Sequence, residues 1–314
     1  MNIVVIGTIY MDVKGYPYSA YIPNGRNAGY IEYIHGGVGR NVVEDISHCN
    51  IKPTFISLVD DNSLGQGVID RLEESNTNTK YIKSVPDGMG TWMAIFDNSG
   101  DVISSISKRP DLEMINQTLD TQGDEIFSHA DSILLEIDID ESIVAKVFEY
   151  AQKYDVEVYA LISNMTIALE RKEYIRRTSC FICNEQEAVQ MFVDSEQNTD
   201  EWDLEQLKPE AMLAILKNGM EKEQIQRMVV TMGGQGAVYA DLKTGEQGMV
   251  DALDVKVKDT TGAGDAFFAG VSIGLTYKES LNHACEIGTK LASSVITTTE
   301  NVCEEFSHEE LGIS

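Results

Sequence analysis

The sequence predicts an α/β fold: a mainly parallel sheet with helices on both faces and a small β appendage. Three observations predict it. Apolar strand-like runs alternate with amphipathic helical stretches over most of the chain, the order that parallel βαβ units impose. The chain opens on Ile3-Val4-Val5-Ile6-Gly7, apolar at successive positions, as a strand buried on both faces must be. Two β-rich insertions interrupt the first third, and each is too small to be a domain.

In order along the chain, residues 3–7 form the buried strand, and a Tyr- and Gly-rich stretch with weak alternation runs on to Ile34. After His35-Gly36-Gly37-Val38-Gly39-Arg40-Asn41 an amphipathic helix starts, with Val42, Val43 and Ile46 apolar. A strand at 54–59 and a helix near 65–74 follow. Residues 91–96 and 102–106, joined by Asn98-Ser99-Gly100-Asp101, have the pattern of a β-hairpin. Next come a strand at 133–137 with a helix to Tyr154, a strand at 156–161, and a strand at 180–183 with a helix from Glu185. Residues 228–231 are a strand, 237–240 and 247–250 an antiparallel pair, and the end is helical over about 263–276 and 279–297. The insertions, about 10–35 and 88–107, read as one β lid on a single domain spanning 1–314.

Composition bounds the function. Of 314 residues, 24 are Lys or Arg and 51 Asp or Glu, a formal net charge of −27, and 43% are hydrophobic. That apolar share excludes intrinsic disorder. The charge repels phosphate backbones and anionic lipid, so nucleic acid and membrane surfaces are not expected partners. The start lacks the pattern of a secretory signal, and no apolar run reaches the roughly 18 residues of a membrane span. Five scattered cysteines fit reduced thiols in a cytoplasm. Asn116 and Asn164, each heading an Asn-x-Thr triplet, are then idle as glycosylation acceptors.

Several motif matches fail on physical grounds. Cys180-Phe181-Ile182-Cys183 has redox spacing, but on a strand the two sulfurs point to opposite faces. Asp60 to Gly65 begins like a calcium loop, yet the fifth position is Leu64 and the twelfth Arg71. The histidines have no paired metal spacing. No GxxxxGK[ST] phosphate loop occurs, and Gly262-Ala263-Gly264 continues without the third glycine of a dinucleotide fingerprint.

The stretch that carries chemistry is Asp259-Thr260-Thr261-Gly262-Ala263-Gly264-Asp265-Ala266-Phe267-Phe268-Ala269-Gly270. Two glycines flanking an alanine make a turn whose N–H groups point one way where a helix begins, a cradle for an anion. Ala266, Gly270 and Gly274 recur every fourth residue and leave a smooth face for a neighbouring helix. A lone Asp265 in a first turn reads as a capping carboxylate, which leaves the Gly-Ala-Gly turn before it unexplained.

This stretch resembles the C-terminal signature of the ribokinase-like (PfkB) carbohydrate kinase family. His35 to Asn41 resembles the family's glycine motif, Asn184-Glu185-Gln186-Glu187 its Asn-x-x-Glu, and Thr231-Met232-Gly233-Gly234-Gln235-Gly236 its Thr-x-Gly-x-x-Gly. Four motifs in family order span nearly the whole chain. The resemblance implies a three-layer sandwich with a β lid, and an ATP-dependent kinase acting on a sugar or nucleoside hydroxyl.

By that resemblance Asp265 is the catalytic base, and Gly262, Ala263 and Gly264 give amides to the phosphoryl oxygens. Asp12, Gly36, Gly37 and Asn41 approach the acceptor, with Glu136 or Asp138 adding a hydroxyl contact. Thr231, Gly233, Gly236, Thr261 and Asn184 line the nucleotide side. Asn184 and Glu187 hold Mg²⁺ through water, and Asp259 marks a site for a monovalent cation, K⁺. A helix N-terminus is expected to lower the pKa of Asp265. Many relatives have Lys or Ala where this chain has Val38 and Arg40. Gly-Gly-Val-Gly-Arg-Asn most resembles the pseudouridine kinase branch, with Thr298-Thr299-Glu300-Asn301-Val302 compatible; Arg40 reads equally as a solvent-facing helix residue. Tyr10, Tyr16, Tyr18 and Tyr21 either stack on a base or pack the lid. The expectation is a cytoplasmic homodimer that phosphorylates pseudouridine. A simple sugar kinase of ribose or fructose type, or a silent nucleotide or sugar sensor on the same fold, is the alternative.

Overall fold

The computed structural model describes every residue except 99–100, 163 and 194–206. The first part runs β1 (Ile3–Ile6), β2 (Tyr10–Pro17), β3 (Gly29–Gly36), α1 (Val38–His48), β4 (Thr54–Asp60), α2 (Ser63–Glu74) and β5 (Asn78–Val85). There follow β6 (Gly90–Phe96), β7 (Val102–Lys108), α3 (Glu113–Phe127), β8 (Ser132–Glu136), α4 (Glu141–Tyr154), β9 (Glu157–Leu161), α5 (Met165–Glu170) and α6 (Lys172–Arg177). The chain ends with β10 (Cys180–Asn184), α7 (Glu185–Phe192), α8 (Pro209–Glu223), β11 (Arg227–Thr231), β12 (Ala237–Asp241), β13 (Gln247–Val250), α9 (Ala263–Thr276), α10 (Leu281–Ile296) and α11 (His308–Leu311).

Nine strands make one sheet in the order β13-β12-β11-β10-β9-β8-β1-β4-β5, parallel except that β12 runs against both its neighbours, β11 and β13. The pleat sends alternate side chains of β1 into two separate cores. Ile3 and Val5 join α1, α2, α9 and α10 on one face, and Val4 and Ile6 join α3, α4, α7 and α8 on the other. The three-layer expectation holds. Cys180 lies in the first core and Cys183 in the second, and all five cysteines are buried and unpaired. They cannot form the redox motif that their spacing mimics.

The two insertions contribute to a second sheet, order β3-β2-β6-β7. The hairpin strands β6 and β7 pair as expected, while its turn residues Ser99 and Gly100 lie outside the described residues. Several elements had no clear sequence signal, the short α5, α6 and α11 among them. β5 is an edge strand with Lys80 and Lys83 breaking its apolar run, and α3 and α8 carry polar residues among their buried ones. The helix α1 begins at Val38, inside the glycine motif rather than after it, because Gly37 (φ 96°) takes the N-cap position in a conformation that a side chain would strain.

Close approach of α9 to α10 depends on the small residues. A Cβ on Gly270 would lie 2.6 Å from the Gly288 Cα, and one on Gly274 would lie 2.7 Å from the Ala284 Cα. Gly270→Val must push these helices apart, at a cost of roughly 1–3 kcal/mol. The expected result is a lower urea midpoint with an unchanged slope.

Candidate active site

Order reverses in the large sheet at β1: the chain first builds β4 and β5 on one side, then returns to place β8 on the other. Ligands of open α/β sheets bind beyond the carboxyl ends of the strands at such a point. Here the two strand ends are clasped. The Thr8 N–H donates to Glu136 Oε2 at 2.8 Å, and the Thr8 hydroxyl donates to the same carboxylate at 2.9 and 3.1 Å. Glu136 is buried, and burial with the neighbouring Asp138 charge raises its pKa.

Above this clasp lies a cavity of about 500 Å³, walled by Thr8, Tyr10, Asp12, Asn41, Glu136 and Asp265, with Gly37, Val38, Trp92, Ser107, Arg109 and Asn164 completing it. Asp12 and Tyr10 reach it from β2, Trp92 from β6 and Ser107 from β7. Asp12 pairs in register with Trp92, and Trp92 with Ser107, so one face of the small sheet supplies them all. Burial raises the pKa of Asp12, with Lys14 and Arg40 offsetting part of the effect. Gly36 does not line the cavity. Its missing side chain leaves room for Asp12, whose Oδ2 would stand 2.6 Å from a Cβ there. Glu136 lines the wall and Asp138 does not.

A second cavity, about 690 Å³, opens beside the ends of β10 and β11. Asn184, Thr231, Gly233 and Gly236 line it from the sheet, Ala263, Gly264 and Phe267 from α9, and Thr289, Ser293 and Ile296 from α10. Thr261 and Glu187 lie off this wall. Gly236 (φ 89°) turns so tightly that a Cβ would meet the Val250 carbonyl oxygen at 2.0 Å. Asn184 and Glu187 form a reciprocal capping box on α7: the Asn184 N–H donates to Glu187 Oε2 at 2.8 Å, and the Glu187 N–H to Asn184 Oδ1 at 2.9 Å. Burial raises the pKa of Glu187, and the charges of Asp138 and Glu185 add to it. Asp259 Oδ1 accepts from both the Thr261 N–H (2.9 Å) and hydroxyl (2.8 Å), which helps hold its pKa low.

The first turn of α9 joins the cavities, with Gly264 facing the larger and Asp265 the smaller. Gly262 caps the helix at φ 85°, and a Cβ there would lie 2.2 Å from the Asn301 carbonyl oxygen. Of the three expected cradle amides, that of Ala263 is turned to the Thr260 carbonyl at 3.2 Å. Among the described residues, the N–H groups of Gly262, Gly264 and Asp265 have no acceptor within the protein, the usual condition of a helix start.

Asp265 Oδ2 accepts from Asn41 Nδ2 at 2.8 Å. The helix end was expected to lower its pKa, yet burial dominates and pushes the carboxyl up to about 6, against the Asn41 hydrogen bond and the Arg40 charge. Arg40 does not face solvent; it is 1% exposed. Sequence reasoning missed Trp92, Ser107, Arg109 and Asn164. Trp92 and Ser107 come to this cavity only through strand register with Asp12, and the sequence carries no local signal for that.

The aromatic residues divide. Tyr10 lines the cavity with Trp92, whereas Tyr16 stacks on Tyr30 and Phe96 at 5.0 and 4.9 Å, and Tyr18 leans on Tyr30. Tyr16 thus packs on the small sheet, whereas Tyr18 is largely exposed.

A family model described as pfkB family carbohydrate kinase matches residues 1–303. The guanosine-inosine kinase of Exiguobacterium acetylicum is 31% identical over 301 residues, 96% of each chain. The pseudouridine kinase of Escherichia coli (strain K12) is 24% identical over 287 residues, 90% of this chain and 87% of that one. The structure of Arabidopsis thaliana ribokinase complexed with ribose and ATP superposes with a TM-score of 0.80 at 18% identity, covering 99% of both chains.

A carboxyl whose pKa is raised by folding binds a proton more tightly in the native state, so it destabilises the fold once it ionises. Asp265→Asn is therefore expected to raise the thermal midpoint at pH 7.5. The gain should shrink as pH falls through about 6 toward 4, as read by calorimetry across pH.

Proposed function

We propose that this chain, which belongs to the pfkB family of carbohydrate kinases, transfers phosphate from ATP to a hydroxyl of a nucleoside. The observation that carries the reading is the first turn of α9, which presents Gly264, whose N–H has no acceptor among the described residues, to one cavity and Asp265 to the other. An ATP γ-phosphate in the larger cavity and an acceptor hydroxyl in the smaller one would meet there. Asp265 accepts the hydroxyl proton as the oxygen attacks, and the amides of Gly262 and Gly264 stabilise charge on the moving phosphoryl oxygens. A loose transition state asks the base chiefly to orient the hydroxyl, a task suited to a carboxylate of pKa about 6. Asp12, Asn41 and Glu136 bind the acceptor's other hydroxyls, and Thr231, Gly233 and Gly236 border the nucleotide.

The donors near Asn184 fit magnesium. Glu187 offers hard oxygen, and the carboxylates of Asp138 and Glu185 that disfavour its ionisation would be relieved by a dication. Held there, Mg²⁺ would supply positive charge to offset that of the phosphates. For K⁺, one Asp259 oxygen already accepts two hydrogen bonds from Thr261, so the ion would take the other oxygen and backbone carbonyls.

Two features support a nucleoside over a bare pentose. A cavity of about 500 Å³ falls within the range that buries larger ligands, and Tyr10 and Trp92 give a base aromatic surface. The likeness to guanosine-inosine kinase over nearly the whole chain favours a purine nucleoside. The glycine motif favours pseudouridine, but its Arg40 lies behind the cavity wall rather than in it. An acceptor panel with MgATP, containing guanosine, inosine, pseudouridine, ribose and fructose, tests this. A nucleoside is expected to exceed ribose at least about tenfold in kcat/KM, and Asp265→Asn to lose about 10³-fold in kcat while still binding ATP. Turnover of ribose or fructose alone would sink the nucleoside reading, and near-normal turnover by Asp265→Asn would sink the base.

The small sheet's other face supports a homodimer. Tyr33, Val13, Met93 and Ile106 form one row across its four strands, with Ile31 beside them; Tyr33 is 62% and Ile106 65% exposed. An apolar row of this kind, with unpaired edges at β3 and β7, suits a second copy. Light scattering is expected to give twice 34.8 kDa, falling to the single mass in a Tyr33→Asp, Ile106→Asp variant. A wild-type monomer would refute the dimer.

A further inference from the structure

Arg40 is a buried charge that neither cavity accounts for. It sits in the first turn of α1 and lines no cavity wall. Its guanidinium spreads over four acceptors. Nη1 donates to the His35 carbonyl at 3.0 Å, to Asn41 Oδ1 at 2.8 Å and to Asn301 Oδ1 at 3.1 Å, and Nη2 donates to Glu44 Oε2 at 2.5 Å. Glu44 accepts in turn from Arg71 Nε at 2.8 Å. An arginine can only donate, so the oxygen of the Asn41 amide is held toward Arg40 and its NH₂ faces Asp265. A flipped amide would set oxygen against the Asp265 carboxylate and NH₂ against the guanidinium.

We infer that Arg40 is a positioning residue for Asp265: through Asn41 it fixes the donor that orients this carboxylate into the acceptor cavity, and Glu44 sets how strongly it does so. The inference rests on the reading of Asp265 as the base. Charge points the same way. Burial raises the pKa of Asp265, and Asn41 and Arg40 are what lower it. Asp265 in turn helps raise the pKa of two buried acids, Asp45 from α1 and Glu136 from β8. Asp12, Tyr10 and Arg109 stand around the same cavity. Arg40 is thus the cation behind the carboxylate, and Glu44 partly cancels it.

Removing each charge should then move Asp265 in opposite directions, which a purely structural role would not do. The probe is the carboxyl resonance of Asp265 in protein labelled with ¹³C-aspartate, identified by its loss in Asp265→Asn. Arg40→Met is expected to make Asp265 bind its proton about tenfold more tightly, and Glu44→Gln about threefold more weakly. The acid limb of kcat/KM should follow each shift, with the affinity for an ATP analogue nearly unchanged. Shifts that are absent, or of one sign in both variants, overturn the inference. If Arg40→Met does not fold, Glu44→Gln decides alone. A shifted resonance with an unshifted rate profile leaves Arg40 in its role and overturns the base assignment instead.

Discussion

The rest of the site depends on the approach of Gly262 to the Asn301 carbonyl. No side chain fits between them, since a Cβ would stand 2.2 Å from that oxygen, and the left-handed turn needs glycine in any case. This contact seats the first turn of α9 against the segment after α10, and that segment is itself tied to α1 through Arg40 and Asn301. Asn301 Nδ2 also donates to the His35 carbonyl at 2.9 Å. Two helices far apart in sequence, α1 and α9, thereby present Asn41 and Asp265 at hydrogen-bond distance.

The polar side of α1 makes the same point about energy. Val42, Val43 and Ile46 were legible as an apolar stripe, and the stripe is in the core. Arg40, Asn41, Glu44 and Asp45 are nevertheless buried too. Four polar side chains inside a protein are tolerable only when paired, and three of them are, in the chain Arg71–Glu44–Arg40–Asn41. Asp45 keeps one oxygen on the Cys303 N–H at 2.7 Å and the other without a partner, and its pKa rises accordingly.

How much of this was legible follows from range. The alternation of strands and helices, the start of α9 and the antiparallel ends were readable because periodicity and turn chemistry are local. The pairing of Trp92 with Asp12 depends on register between strands about eighty residues apart, which no local pattern encodes. The pKa of Asp265 was misjudged because a helix end was visible in the sequence and the burial around it was not. Arg40 was ambiguous for a related reason: a helix-wheel position does not say what a C-terminal segment 261 residues later will cover.

The division of labour between the two sheets has an evolutionary consequence. Tyr10, Asp12, Trp92 and Ser107 stand on the small sheet, while the Gly262–Asp265 turn and the ends of β10 and β11 belong to the large one. On the proposed reading, substitutions along β2, β6 and β7 would retune which molecule is recognised without disturbing the residues assigned to phosphate. A scaffold split in this way can diversify its diet while its chemistry stays fixed, and grafting those strands between relatives becomes a rational route to new specificity.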